Sequence, residues 1–314
     1  MSVTERSVVA GERPGPVADT SYEVVLVTYH SREQLTGLLT HVGATGPVVV
    51  VDNASGADGV PDVVRALPRG RWLDGRNGGF ARAANLGART STAEFIVFAN
   101  PDSRPTVDVW RALVGHLRDE PELIAVGAAT TGPDGAIELG VGGWDPTPRR
   151  AWIHALGLHR RWPTAGVFAK PRSGQDVDLE WISGACLAVR RREFLDLGGF
   201  DERYFVYNED MAFGRAVRRS GRRMALRTDL LVPHATASSG GGGTAMPQQR
   251  GASMAAYLHD HHRPAAARVM RAAFAAGMAP RILIGAGRGR WATVRQHWAY
   301  VRGITTQRSP YRAG

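Results

Sequence analysis

Oxygen-bearing side chains stand just after short apolar runs at several points along the chain: Asp52-Asn53 follows VVVV, and Asn100-Pro101-Asp102 follows EFIVFA. A carboxylate presented on a rigid strand end can hold a divalent cation, which wants hard oxygen ligands and leaves room for substrate phosphates. Asp102 is therefore a candidate ligand for Mg²⁺ or Mn²⁺, against the plainer reading of a Pro-Asp turn. His234 precedes a glycine-rich segment and either closes such a metal shell or is a structural histidine. Glu209-Asp210 falls near the expected start of a helix, where capping alone favours negative charge. Set against the aromatic run Tyr204-Phe205-Val206-Tyr207, the same pair suits a general base. Asp52 equally fits a turn or a helix cap. Arg76-Asn77-Gly78-Gly79-Phe80 could bring backbone close to a ligand, but it is not G-x-G-x-x-G and does not argue for a dinucleotide site.

Groups so far apart in the chain act together only if the fold collects them. Glu23 to Thr28 and Pro47 to Asp52 are nearly continuous β-branched runs, too apolar for one-sided strands, with a segment of helical length between them. The alternation continues with a helix near Asp58 to Leu67, a strand near Arg71 to Leu73, a helix Phe80 to Arg89 and a strand Glu94 to Ala99. It predicts a parallel sheet covered on both faces, which binds ligands outside the carboxyl ends of its strands. Thr28-Tyr29-His30, Asp52-Asn53, Arg76 to Gly79 and Asn100 to Asp102 then converge on one rim. A helix near Thr106 to Arg118 and a strand Leu123 to Ala129 follow. Gly132 to Asp178 has no clean period and reads as loops and short strands shaping a second site. Beyond it come a strand around Ala185 to Arg190, a helix from about Asn208 to Ser220 and a strand ending at His234, with Gly240 to Gly243 as a connection or lid.

The composition, 314 residues at 43% hydrophobic and 22% charged, is ample for a large core and excludes a disulfide-stapled mini-protein. Cys186 is the only cysteine, which fits a reducing compartment, and no Cys/His cluster has zinc spacing. Residues 1–20 mix charges with Pro and Gly, which predicts a disordered leader rather than a signal peptide. The net charge of +10 lies wholly in the tail: residues 235–314 hold 11 Arg against Asp260 alone. The longest apolar run in the tail without Arg, Asp or Glu is the nine residues Ala272 to Pro280, against about 20 for a membrane-spanning helix, so no crossing is expected.

Taken in order, VVLVTYH, VVVVDNASG, RNGGFARAANLG, FANPD, WISGACLAVRRREFLDLGGFDERYFVYNED and VPHATASSGG resemble the inverting family-2 glycosyltransferases, in particular their bacterial rhamnosyltransferase-like branch. The resemblance covers about residues 22 to 240. It implies an α/β, GT-A-type Rossmann-like fold with a mostly parallel sheet flanked by helices, made of a catalytic domain 21–240 and a C-terminal helical extension 241–314. The implied activity moves a sugar, L-rhamnose from dTDP-rhamnose foremost, from a nucleotide-diphosphate donor to a hydroxyl of a lipid-linked or cell-envelope glycan. A UDP- or GDP-sugar transferase acting on another glycan or a secondary metabolite, and a catalytically silent nucleotide-sugar binder, stay open as alternatives.

By the same resemblance, Thr28, Tyr29 and Asp52 hold the base and ribose, while Asn77, Gly78 and Asn85 line the nucleotide pocket. Asn100 stands where the family has the first Asp of its D-x-D motif, so the divalent metal (Mg²⁺ or Mn²⁺) rests on Asp102, completed by His234. Asp210 matches the catalytic base, with Glu209 beside it. Trp181, Ser183 and Gly184 border the acceptor.

In the tail, Met270, Ala273, Phe274, Gly277 and Met278 share one helical face, and Trp291, Val294, Trp298 and Val301 form another. These faces either pack on the catalytic domain or, with the arginines, rest on an anionic membrane surface. A cytoplasmic enzyme peripheral to the inner face of the plasma membrane is the corresponding expectation. No recognition-helix or stacking motif points to nucleic acid.

Overall fold

The computed structural model describes residues 21–43, 46–174, 176–235 and 243–311. The expected leader 1–20 and Gly240 to Gly242 lie outside the described residues. The first half alternates as the apolar runs require: β1 (Tyr22–Thr28), α1 (Arg32–Val42), β2 (Val48–Asp52), α2 (Val60–Arg65), β3 (Gly70–Asp74), α3 (Gly79–Thr90), β4 (Phe95–Ala99), α4 (Val107–Asp119) and β5 (Leu123–Thr131). The stretch without a period contains β6 (Gly142–Gly143), α5 (Pro148–Ala155) and β7 (Val177–Asp178). It leads into β8 (Trp181–Ile182), β9 (Cys186–Arg190), α6 (Arg191–Asp196), α7 (Glu209–Arg219) and β10 (Arg223–Pro233).

Eight strands form one sheet in the order β3-β2-β1-β4-β9-β5-β10-β7. β3, β2, β1 and β4 run parallel, as do β5 and β10, whereas β9 is antiparallel to both of its neighbours, β4 and β5. The sheet is thus mostly parallel and flanked by helices, and the carboxyl ends of β1, β2, β3, β4, β5 and β10 reach one rim. Strand periodicity divides the core. Val24 and Leu26 face Leu35, Leu38, Trp110 and Leu113 of α1 and α4, and Val25 faces Ala84 and Ala88 of α3. Thr28 and Asp52 come level across the β1–β2 ladder.

One irregularity matters for the rim. The β10–β5 register shifts between Arg227 and Leu231, so that Val232 and Pro233 still pair with Thr130 and Thr131. A bulge of this kind re-aims the residues beyond it, here His234.

The C-terminal part is helical: α8 (Ala245–His261), α9 (Pro264–Ala276), α10 (Ala279–Gly287) and α11 (Trp291–Thr306). These helices share a third core with the catalytic part, in which Met254, Tyr257, Leu258, Met270 and Phe274 join Trp181, Tyr204 and Met211. The buried Tyr257 hydroxyl donates to Asp145 Oδ1 at 2.6 Å, and Asp145 also pairs with Arg215 and Arg218 of α7. α8 and α11 approach backbone to backbone, since a Cβ at Gly303 would overlap the Gln248 carbonyl oxygen.

Of the two expected tail faces, Met270, Ala273, Phe274 and Gly277 are buried. The second divides: Val294 is buried, but Trp291 and Trp298 are 60% and 58% exposed. The buried line of α11 is Val294, Ala299, Gly303 and Ile304, because α8 seats against Gly303 and leaves both indoles outside. By length and composition, the 24-residue stretch Pro264–Gly287 is apolar enough to cross a membrane, an 18-residue window within it having a mean hydropathy of 1.3. Counting uncharged runs misses it because isolated arginines, Arg268, Arg271 and Arg281, interrupt the apolar residues. α9 and α10 part at Gly277-Met278 within it.

Candidate active site

The ends of β1, β2 and β3 are tied into one shelf. Asp52 is fully buried: its Oδ1 accepts from the Thr28 hydroxyl at 3.2 Å and the Ala54 N–H at 2.9 Å, and its Oδ2 from the Gly56 N–H at 2.7 Å. Asp52 therefore shapes the loop after β2. The Ser55 hydroxyl and the Arg76 N–H both donate to Asp74 Oδ1, and these bonds hold the Asp74 carboxyl below its usual range. Asn53, unremarked as a ligand in the sequence, donates from Nδ2 to the Gly79 carbonyl at 3.2 Å and so joins the shelf to the glycine loop. Tyr29 is 53% exposed above this shelf, and Asn77 is exposed beside it.

Left-handed backbone gathers along the same rim. Of the seven described non-glycine residues with positive φ, six are His30, Ser55, Arg76, Asn77, Tyr207 and Asn208. Such conformations are costly for residues with a Cβ and persist where surrounding structure fixes them, commonly at functional sites.

Asp102 and His234 are brought together by backbone. Ser103 and His234 form an antiparallel bridge, the Ala235 N–H donates to the Asp102 carbonyl at 3.0 Å and the Arg104 N–H to the Pro233 carbonyl at 2.8 Å. His234 Nε2 then lies 3.2 Å from Asp102 Oδ1, buried and without an aligned hydrogen bond. Burial pulls the His234 pKa down, but the Asp102 and Glu138 carboxylates outweigh it and leave the pKa raised. A carboxylate oxygen converging with an unpartnered imidazole nitrogen fits a hard divalent cation whose remaining positions are filled by phosphate oxygens and water. Among the described residues no group of three or more Asp, Glu, His or Cys side chains is arranged to hold a metal, so the protein would supply two ligands here, Asp102 and His234. Asn100 is half-buried beside them, with its backbone N–H bonded to the Ala185 carbonyl.

Glu209 and Asp210 open α7, whose N-terminal dipole favours negative charge. Glu209 is buried, with Oε2 unpartnered, while Asp210 keeps part of its surface open and accepts the Met211 N–H at 2.8 Å. Burial pushes the Asp210 carboxyl up to about 6, against the pull of that N–H. Burial, and then the charge on Asp210, holds Glu209 well above its ordinary value. Two adjacent carboxyls in one poorly solvated place do not both ionise readily, so a single negative charge falls on the more open Asp210.

A chain of contacts runs from the segment before α7 toward the Asp102–His234 pair. The Phe80 N–H donates to the Phe205 carbonyl at 2.7 Å, and only glycine fits at position 79, because φ is +85° and a Cβ would overlap that same carbonyl. Gly184 lies against the Phe80 ring, and Ala185 accepts the Asn100 N–H. Contacts thus run from Phe205 through Phe80, Gly184 and Ala185 to Asn100, two residues before Asp102, and Asp210 opens α7 five residues after Phe205.

Two expected residues are not in this run of contacts. Asn85 is buried and spent elsewhere: Nδ2 donates to the Phe200 carbonyl at 2.7 Å and to Glu202 at 3.0 Å, and Oδ1 accepts the Phe200 N–H at 2.9 Å. It fixes the Gly199–Glu202 turn. Trp181 is 3% exposed and packs edge-on against Phe168 in the third core. Ser183 is half-buried next to Gly184 at the rim. A separate pocket of about 630 Å³ lies between Gly199 to Glu202 and the Ala212–Ala216 flank of α7, and none of the expected site residues lines it. The residue that sequence reasoning missed is Glu138, whose carboxylate meets His234 from the far side of the ring. Its segment has no period that would have marked it.

Comparison with known proteins agrees with this architecture. The sequence profile of "Glycosyl transferase family 2" matches residues 23–153. The N-acetylglucosaminyl-diphospho-decaprenol L-rhamnosyltransferase of Mycobacterium tuberculosis is 32% identical over 219 residues, covering 63% of this chain and 70% of that protein. Among solved structures, the mannosyltransferase PcManGT from Pyrobaculum calidifontis, in complex with GDP-Man and Mn²⁺, superposes with a TM-score of 0.58 at 19% identity over 94% of this chain and 90% of its own. GalNAc-T7 with UDP, GalNAc and Mn²⁺ gives a TM-score of 0.51 at 12% identity, covering 75% and 47%. At these identities the structural matches speak for the fold.

Proposed function

The chain belongs to glycosyltransferase family 2 and is a glycosyltransferase; from that premise we propose that it transfers L-rhamnose, with inversion, from dTDP-L-rhamnose to a hydroxyl of a lipid-linked, polyprenyl-diphosphate glycan. The observation that supports the mechanism is the convergence of His234 Nε2 on Asp102 Oδ1, with contacts running from Asn100 to Phe205, five residues before Asp210. The transferred sugar and the acceptor follow the 32% identical mycobacterial relative, whose name states an L-rhamnosyl transfer to N-acetylglucosaminyl-diphospho-decaprenol.

In this reading Asp210 takes the proton from the acceptor hydroxyl as its oxygen bonds to the anomeric carbon. The bond from that carbon to the diphosphate breaks on the opposite face, and the departing nucleotide keeps the electron pair. Asp102 and His234 would hold Mg²⁺ or Mn²⁺, which supplies charge stabilisation to the leaving diphosphate. Thr28, Tyr29 and the Asp52 loop would seat the base and ribose, Asn77 and Gly78 the diphosphate side, and Ser183 and Gly184 the acceptor. With GlcNAc-diphospho-decaprenol and Mn²⁺, the purified protein should transfer from dTDP-rhamnose and not at comparable rate from UDP- or GDP-sugars. Transfer from a UDP- or GDP-sugar instead would favour the alternative donor, and nucleotide binding without turnover would favour a silent binder.

We further propose that α10 and α11 rest on the anionic inner leaflet where such an acceptor is held. Leu283, Ile284, Trp291 and Trp298 are all more than half exposed, beside exposed Arg281, Arg288, Arg290, Arg295 and Arg302. No acidic residue occurs after Asp260. Indole and apolar groups at a headgroup boundary, with basic residues each contributing about 1 kcal/mol, make reversible binding. The full-length protein should float with phosphatidylglycerol vesicles at low salt, and the double variant Trp291→Ala/Trp298→Ala should stay largely unbound. Wild-type protein remaining unbound at every salt concentration would exclude the surface.

A further inference from the structure

We propose that Glu138 is a positioning residue that aims the metal-binding nitrogen of His234. The inference rests on reading Asp102 and His234 as the metal pair, and it adds a residue from a segment that carries no recognisable motif.

The geometry is two-sided. On one edge of the imidazole, Nε2 lies 3.2 Å from Asp102 Oδ1; on the other, Nδ1 lies 3.0 Å from Glu138 Oε2. An ionised carboxylate only accepts hydrogen bonds, so Nδ1 carries the hydrogen and donates it to Glu138. In the metal-binding form, when Nε2 has given up its proton, the lone pair is on Nε2, beside Asp102. Because the two nitrogens point to opposite edges, Glu138 and Asp102 cannot both ligate one ion at this ring: Glu138 sits behind the ring and Asp102 in front.

Glu138 is itself fixed. The same Oε2 accepts the Thr130 hydroxyl at 2.8 Å, and the Glu138 N–H donates to the Thr130 carbonyl at 2.9 Å. The bridge between Thr131 and Ile137 closes the turn that returns the chain from β5, and His234 donates its own N–H to the Thr131 carbonyl at 2.9 Å. Both the carboxylate and the imidazole it holds are thus registered on the end of β5. The Glu138 side chain is only 17% exposed, so water competes weakly for the bond. A carboxylate behind a ligating histidine fixes tautomer and ring orientation, and its loss commonly costs metal affinity rather than shape.

The test reads Mn²⁺ binding directly, from the loss of the free aqua-ion paramagnetic resonance signal, and needs neither donor sugar nor acceptor. Glu138→Gln, which keeps shape and can still meet Thr130, should bind Mn²⁺ about 10- to 100-fold more weakly than wild type. Thr130→Val, which frees the carboxylate without touching the imidazole, should give a smaller loss, about fivefold for one hydrogen bond. In turnover, the Glu138→Gln defect should appear as a raised Mn²⁺ requirement that excess metal largely relieves. A structural role alone would lower the melting temperature of the metal-free protein and leave Mn²⁺ affinity in the folded fraction unchanged. Unchanged affinity in both variants would overturn the proposal while leaving the metal pair intact. Wild-type protein that binds no Mn²⁺ would overturn the metal pair itself and Glu138 with it, whichever sugar is transferred.

Discussion

Asp210→Asn should yield a folded protein that still binds donor but transfers sugar about 10²- to 10⁴-fold more slowly, the usual contribution of a positioned general base. Asparagine keeps the size of the side chain and can still accept the Met211 N–H, so the fold of the α7 N-terminus survives. What disappears is the group that ionises. Burial raises the Asp210 carboxyl to about 6, and only its deprotonated form can accept the acceptor's proton. In the wild type kcat/KM should therefore rise as pH passes through about 6 and level off above it; the variant should lack that limb.

Stability should move the other way. A carboxyl whose pKa is higher folded than unfolded stabilises the folded state below its unfolded value and loses that contribution as pH rises through the folded one. The neutral Asn residue does not ionise, so the variant should melt no lower than wild type at pH 7.5. A slow enzyme that is also unfolded would speak only of packing, whereas a folded, donor-binding variant with wild-type turnover would remove Asp210 from the role.

Asp102→Asn should be the second large loss, and its primary readout is binding rather than rate. Asp102 offers a buried carboxylate on the Nε2 side of His234. Replacing it with a neutral amide removes one of two protein ligands and the charge that attracts a hard cation. Mn²⁺ affinity measured by calorimetry should fall by more than about 100-fold, beyond the effect expected for a carboxylate that acts only through the histidine. Sugar transfer should fall with it, and chelation of wild-type protein should reproduce the loss, with recovery on adding Mn²⁺. Because Asn remains able to meet His234, the melting temperature should change by no more than a few degrees. Retention of wild-type Mn²⁺ affinity would mean that the ion, if bound, sits elsewhere.

These two variants probe residues that were marked in the sequence by the runs before them. VVVV before Asp52, EFIVFA before Asn100 and the aromatic run before Glu209 are local signals, and the strands and the α7 start lie where they predict. Membership of the family was legible for the same reason, since its motifs are short blocks in a fixed order. Asn85 and Trp181 show the limit. Their blocks match the family, yet the side chains are turned to the Phe200 backbone and into the third core. A block match fixes a residue's place along the chain; its direction depends on what packs against it.

By itself, then, the sequence determined the alternation of apolar strands and helices, the rim where polar residues collect, and a tail carrying the whole excess of positive charge. Only the tertiary structure decided which rim groups meet. His234 reaches Asp102 because a register shift in β10 carries it past Thr131 to bridge Ser103, and Glu138 reaches it from a turn 96 residues earlier. Phe205 touches the glycine loop because position 79 has no Cβ. The physical reason is common to all three: strand and helix periods arise from interactions between near neighbours, whereas register and close backbone approach are set by packing between segments distant in the chain.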